Sequence, residues 1–242
     1  VAVTGAGGYV AQHIIKQLLA KGYTVHGTVR NLTDTAKVLP LRRQFPGLLL
    51  FQADLMRDGS FMKAFRHCKF VIHAASPFKY TVRSPQKDLV DPAVVGTMNV
   101  MRCARLVGGV RRLIITSSAA AVLRLAVPAD RAKRWCEDDW NVDTTIEDNP
   151  YRFSKVLAEQ CAWIYMAQCY NSYDYGSHGR FTCSEDVAEV LDAGGCIEHV
   201  SYDLVTINPS FVVGPPVGER TDGESVSLIK DTLEGKYYEG GA

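Results

Sequence analysis

A short apolar strand, Val1-Ala2-Val3, runs directly into Thr4-Gly5-Ala6-Gly7-Gly8-Tyr9-Val10-Ala11, and this junction limits the folds open to the chain more than any other feature. Residues 8–21 carry Val10, Ile14, Ile15, Leu18 and Leu19 at helical spacing, with Gly22 as the stop. The segment therefore reads as strand, glycine turn, helix. Such a turn lets backbone N–H groups and the positive end of the helix face an anion such as a pyrophosphate. Gly5 permits the tight turn, Gly8 permits close approach of phosphates, and Ala11 is small enough for helix to pack on strand. Glycine clusters also mark ordinary turns. The strand before this one and the helix after it point to dinucleotide binding.

The rest of the chain continues the alternation. Strands are expected at 1–3, 24–29, 48–52, 70–74, 111–116 and 203–208, and helices at about 8–21, 34–45, 58–66, 86–107 and 151–169. This is an α/β pattern. It predicts a doubly wound parallel sheet of the Rossmann type with helices on both faces. Residues 1–169 and 201–213 would form the dinucleotide-binding domain, and 214–242 would begin a C-terminal substrate lobe. Residues 170–200, rich in Gly, Ser, Tyr and Asp, read as an insert or lid loop with a possible short helix at 184–192. A strand at the first residue and a Gly-rich turn at the last suggest a piece of a longer protein with sequence missing at both ends.

Composition excludes several classes. Of the 242 residues 47% are hydrophobic and 22% charged, and the formal net charge is +1, which gives no footprint for nucleic acid. The seven cysteines include no C-x-x-C pair, so reduced thiols in the cytoplasm are expected, with neither a disulfide framework nor a metal site. The sequence holds no run of 18 apolar residues to cross a membrane.

Chemistry is expected at the carboxyl ends of the strands. The second ends in Thr28-Val29-Arg30, about 20 residues beyond the glycines. An acidic residue here would bond a ribose 2′-hydroxyl, whereas arginine suits a 2′-phosphate, and Lys37 adds a second cation. NADP(H) is thus expected over NAD(H). Asp54 and Leu55, after the third strand, would reach the adenine edge, although Asp54 also reads as an N-cap for the next helix. Ala74, Ala75 and Ser76 follow the fourth strand and are small enough for a cofactor to lie against the sheet edge. His73 reads as a packed strand histidine.

Tyr151-Arg152-Phe153-Ser154-Lys155 places a tyrosine and a lysine on one helix face. A free tyrosine, with a pKa of about 10, transfers protons poorly near neutrality. A neighbouring ammonium stabilises its phenolate and lowers that value. The fifth strand ends Thr116-Ser117-Ser118, and a hydroxyl there can hold and polarise a carbonyl.

Taken together, VTGAGGYVA, TVRN, ADL, HAASP, DPAVVGTMNVMRCA, ITSSAAAV, YRFSK and INPSFVVGPP resemble the extended short-chain dehydrogenase/reductases. The group holding dihydroflavonol 4-reductase, cinnamoyl-CoA reductase and related aldehyde and ketone reductases is the best match within that superfamily, which also includes NAD-dependent epimerases and dehydratases. The resemblance covers nearly the whole chain except 170–200. It implies a Ser118, Tyr151, Lys155 triad, with Ser118 rather than Ser117 in the serine position. It implies a cofactor site of Thr4, Gly5, Gly8, Tyr9, Val10, Arg30, Lys37, Asp54, Leu55, Ala74, Ala75, Ser76, Thr116, Pro209 and Val212, shared with Tyr151 and Lys155. Asn99 matches a position that supports the active site in the wider family, although a mid-helix asparagine can also bridge neighbouring backbone. Two departures matter. Leu123 stands where dihydroflavonol reductases carry a flavonoid-binding asparagine, and the segment 148–155 lacks the cinnamoyl-CoA reductase signature. Neither substrate is therefore implied.

The resulting expectation is an NADPH-dependent reductase of a small carbonyl substrate, acting as a monomer or homodimer. Two alternatives are a nucleotide-sugar epimerase or dehydratase with tightly bound NAD, disfavoured by Arg30, and a non-catalytic dinucleotide sensor, disfavoured by the intact triad.

Overall fold

The computed structural model describes residues 1–76, 82–124, 134–170, 200–218 and 224–236. Six parallel strands form one sheet in the order β3-β2-β1-β4-β5-β6. They are β1 (Ala2–Thr4), β2 (Val25–Val29), β3 (Leu48–Gln52), β4 (Phe70–His73), β5 (Arg112–Thr116) and β6 (Asp203–Ile207). The helices are α1 (Tyr9–Ala20), α2 (Thr35–Gln44), α3 (Met62–Phe65), α4 (Asp91–Val107), α5 (Pro150–Tyr170) and α6 (Glu224–Leu233). Each expected strand is present. None of the described helices is long and apolar enough to cross a membrane.

Two hydrophobic clusters cover the two faces of this sheet. Val3, Ala6, Ala11, Ile15, Val25, Leu41 and Phe45 join α1 and α2 to one side. Val71, Met98, Met101, Leu113, Leu157, Cys161 and Tyr165 join α4 and α5 to the other. Apolar residues on both faces explain why the strands read as continuous aliphatic runs rather than alternating ones.

The helix expected at 58–66 is shorter than its periodicity suggests. Gly59 has φ +69°, and its loop is held by turn bonds, so α3 begins only at Met62; His67, at φ +65°, follows its end. The helix expected at 86–107 starts with one wide π-helical turn, Gln86–Val90, before α4. The possible helix at 184–192 lies outside the described residues.

The strand order sets the place of the site. After β3 the chain crosses back past β1 to form β4 on the other side. The carboxyl ends of β1 and β4 therefore flank the point where the winding reverses, which is where ligands bind in open α/β sheets.

Candidate active site

The glycine turn has the geometry its sequence requires. Gly5 sits at φ +68°, and a Cβ there would stand 3.0 Å from both Cα and Cβ of Ala75. Its N–H donates to Thr28 Oγ1 (3.1 Å), and the Gly8 N–H donates to the Gly5 carbonyl (2.8 Å). Helix α1 follows with no side-chain cap and no acidic residue in its first turn. Its N-terminus presents amide donors and positive potential, and no side chain of the described residues caps them.

Thr4 ties this turn to β4. Its hydroxyl oxygen accepts from the Ala74 N–H (3.1 Å) and the Ala75 N–H (3.0 Å) and lies 2.8 Å from His73 Nδ1. A hydroxyl has one proton to give, so Thr4 donates to Nδ1 and the ring proton of His73 lies on Nε2. Burial, reinforced by the nearby Lys155 ammonium, pushes His73 down to about 3. It is a neutral packing histidine, as its strand position suggested.

In the loop after β3, Asp54 is not a helix cap. Its Oδ1 accepts from the Met56 N–H (2.9 Å) in a turn that precedes α3 by several residues. Buried Asn99 fastens this turn to α4. Its amide donates to the carbonyls of Arg57 (2.8 Å) and Leu55 (3.1 Å), and its Oδ1 accepts from the Gly59 N–H (3.1 Å). One helical turn earlier, a Cβ on Gly96 would lie 2.8 Å from Leu55 Cβ. Asn99 thus bridges backbone at the 54–59 loop. Arg30 is exposed at the end of β2 and makes no ion pair among the described residues. Lys37 is paired with Asp34 at 2.8 Å, the same aspartate that caps α2.

Across the reversal point, α5 brings Tyr151, Lys155, Glu159 and Trp163 into one row at four-residue spacing. Lys155 is 7% exposed, donates to Ser76 Oγ (2.8 Å), and has Nζ 5.6 Å from the centre of the Tyr151 ring. Burial pushes this lysine down to about 8, opposed by the negative charge of Glu159.

The tandem serines at the end of β5 differ in what their hydroxyls do. Ser117 is buried and donates to Glu159 Oε2. Ser118, in extended backbone, accepts from the Ala120 N–H (3.1 Å) and caps the one-turn 3-10 helix Ala119–Ala121. Among the described residues its own proton has no acceptor and remains open to a ligand, whereas that of Ser117 is committed. After β6, the Pro209 carbonyl accepts from the Ala119 N–H (2.9 Å), which sets the 209–212 segment beside the serines.

Tyr9 and Val10 have a second neighbourhood. Together with His13, Gln17 and Val212–Pro215 they line a groove of about 380 Å³ along α1 that does not include Tyr151 or Lys155. The Tyr9 hydroxyl donates to the Gly214 carbonyl (2.9 Å). Glu159 and Asn208 escaped the sequence reading. The signal was an acidic residue one turn past Lys155 in a helix whose neighbouring residues Leu157, Ala158, Cys161 and Ala162 are apolar and buried.

Residues 1–175 match the model of the NAD dependent epimerase/dehydratase family. A putative anthocyanidin reductase from Ginkgo biloba is 35% identical over the whole of this chain and 64% of its own length. A cinnamoyl-CoA reductase (CAD2) from Medicago truncatula is 34% identical over 95% of this chain and 63% of its own. The chain thus spans less than two thirds of these relatives. Among solved structures, the NADPH complex of the yeast methylglyoxal/isovaleraldehyde reductase Gre2 superposes with a TM-score of 0.76 at 26% identity, covering 100% of this chain and 67% of that one. The Candida albicans Gre2 complex with NADPH gives a TM-score of 0.73 at 31% identity, covering 96% and 64%.

Proposed function

This chain belongs to the NAD dependent epimerase/dehydratase family, and from that premise we propose that it is an NADPH-dependent reductase of an aldehyde or ketone. The observation that carries this reading is the Lys155 ammonium, buried beneath Tyr151 at the sheet edge that also carries the glycine turn. Reductases among the relatives, two of them solved with NADPH, support it.

The residues present fit the cofactor. The Gly5–Gly8 cradle and the uncapped α1 N-terminus suit a pyrophosphate, and a side chain at Gly5 would meet Ala75. Thr4, Tyr9 and Val10 complete that turn, and Ala74, Ala75, Ser76 and Thr116 form the strand ends beside it. Exposed Arg30 would take the 2′-phosphate, with Lys37 shared between that role and Asp34. Asp54 and Leu55 would face the adenine, and Pro209 and Val212 the nicotinamide side. When bound, NADPH supplies the hydride.

The chain's own residues then handle the oxygen and the proton. Ser118 turns its uncommitted O–H to the carbonyl oxygen and holds it. Tyr151 gives its phenolic proton to that oxygen. Lys155 holds positive charge near the ring and stabilises the phenolate left behind. The free thiols of Cys68, Cys103 and Cys161, all buried, suit a reducing cytoplasmic setting.

The test is NADPH oxidation by the full-length protein against a panel of aldehydes and ketones, with NADH for comparison. Tyr151→Phe is expected to lower turnover by about 10³-fold, within the range for a positioned general acid, and to leave NADPH affinity nearly unchanged. Arg30→Ser is expected to erase the preference for NADPH over NADH. Turnover that survives Tyr151→Phe would remove the tyrosine from its role.

A further inference from the structure

We propose that Glu159 is a positioning residue for the Ser118, Tyr151 and Lys155 site: one buried carboxylate that locks the ends of β5 and β6 to α5 and sets the charge balance around Lys155. The proposal rests on the reductase reading above and adds a residue that neither the motifs nor the triad contains.

The carboxylate is 5% exposed and takes three donors from three directions. Ser117, at the end of β5, gives its hydroxyl proton to Oε2. Asn208, just past β6, donates to the same oxygen at 2.7 Å. Trp163, one turn further along α5, donates to Oε1 at 3.4 Å. Asn208 has a second N–H, and it goes to the main-chain carbonyl of Ser118 at 3.2 Å. A continuous path therefore runs from Glu159 through Asn208 to the backbone of the serine whose hydroxyl faces the substrate. Three donors satisfy the carboxylate, so it stays buried without a cation in contact.

The same carboxylate lies one helical turn below Lys155 and acts on it through space. Its negative charge favours the ammonium, whereas burial disfavours it. Among the described residues, the other groups facing Lys155 Nζ are neutral: Ser76 Oγ, the Tyr151 ring and His73, which burial keeps deprotonated. Glu159 is thus the charged group that offsets the burial of Lys155. Losing its charge would let Lys155 shed its proton earlier. That moves the alkaline fall of carbonyl reduction to lower pH.

The test compares wild type with Glu159→Gln and Glu159→Asp in the full-length protein, by two readouts. One is the pH profile of kcat/KM for NADPH-dependent reduction. The other needs no turnover: the pH dependence of Lys155 acetylation by acetic anhydride, read by peptide mass spectrometry. Glu159→Gln keeps an acceptor oxygen and loses the charge, and should shift both the alkaline limb and the Lys155 labelling curve down by on the order of one pH unit. Glu159→Asp keeps the charge and should restore both curves most of the way to wild type. A Glu159→Gln protein of lower stability whose two curves coincide with wild type would overturn the proposal and leave Glu159 as a structural cross-link alone. If wild type turns over no carbonyl at all, the reductase reading fails, and the labelling curves still decide the coupling of Glu159 to Lys155.

Discussion

Replacing Lys155 by methionine is expected to make the protein inactive and more stable. The fold keeps this ammonium 7% exposed, with one hydroxyl partner, and the result is a drop from 10.5 to about 8. That drop corresponds to about 3 kcal/mol of unfavourable free energy for holding the charged form in the folded state at neutral pH. Methionine has a similar length and no charge to desolvate. Its loss of the Ser76 bond returns about 1 kcal/mol, so a net gain of about 2 kcal/mol is expected. Glu159 keeps its three donors in the variant and is not left bare. The gain has a pH signature. Below about pH 8 the lysine is protonated in both folded and unfolded protein, so the penalty is fully present. Between about 8 and 10.5 the unfolded chain holds the proton and the folded protein does not. The unfolded state then binds more protons, so wild-type stability rises with pH through this window and the advantage of the variant shrinks. Urea unfolding of both proteins at about pH 7 and about pH 10 measures it, since the remaining titrating groups cancel in the difference. A Lys155→Met protein less stable than wild type near neutrality, or a difference equal at both pH values, would refute the reasoning.

Thr4→Val should destabilise the protein by about 3 kcal/mol, because the amides of Ala74 and Ala75 and the Nδ1 of His73 all lose their partner; Thr4→Ser should restore most of this in thermal unfolding. Gly5→Ala should cost about 1–2 kcal/mol for the left-handed backbone alone. Its Cβ also meets Ala75 at 3.0 Å, so NADPH affinity, measured by calorimetry, should fall at least about tenfold, a change worth 1.4 kcal/mol. Asn99→Leu should loosen the 54–59 loop and raise the Kd for NADPH while leaving kcat within about twofold, because its bonds hold the loop proposed to face the adenine.

Much of this molecule was legible in one dimension because its signals are local. The strand, glycine turn and helix at 1–21 occupy consecutive residues, and a left-handed Gly5 is a property of the turn itself. Tyr151 and Lys155 are one helical turn apart, so helix geometry alone puts them on one face. The six strands could be read from aliphatic runs because both faces of the sheet are covered. The onset of α3 was misplaced because apolar spacing does not reveal a positive φ at Gly59.

What the chain could not announce are the pairings between residues far apart in sequence. The order β3-β2-β1-β4-β5-β6 brings Thr4 to His73 and Ala75, and Ser76 to Lys155, across 69 to 79 residues. The resemblance picks Ser118 over Ser117 but gives no physical reason; the approach of Glu159 from α5 supplies one, since it commits the Ser117 hydroxyl while that of Ser118 only accepts from the Ala120 N–H. Burial decides the rest. A lysine in a sequence is an exposed cation by default, and it takes the packing of α5 against the sheet to strip its water and move its proton affinity toward neutrality. Residue identity and spacing therefore determine the elements and the kinds of chemistry available, because these depend on near neighbours along the chain. The donor–acceptor pairings and the charge states depend on desolvation and on contacts that exist only once the sheet has assembled.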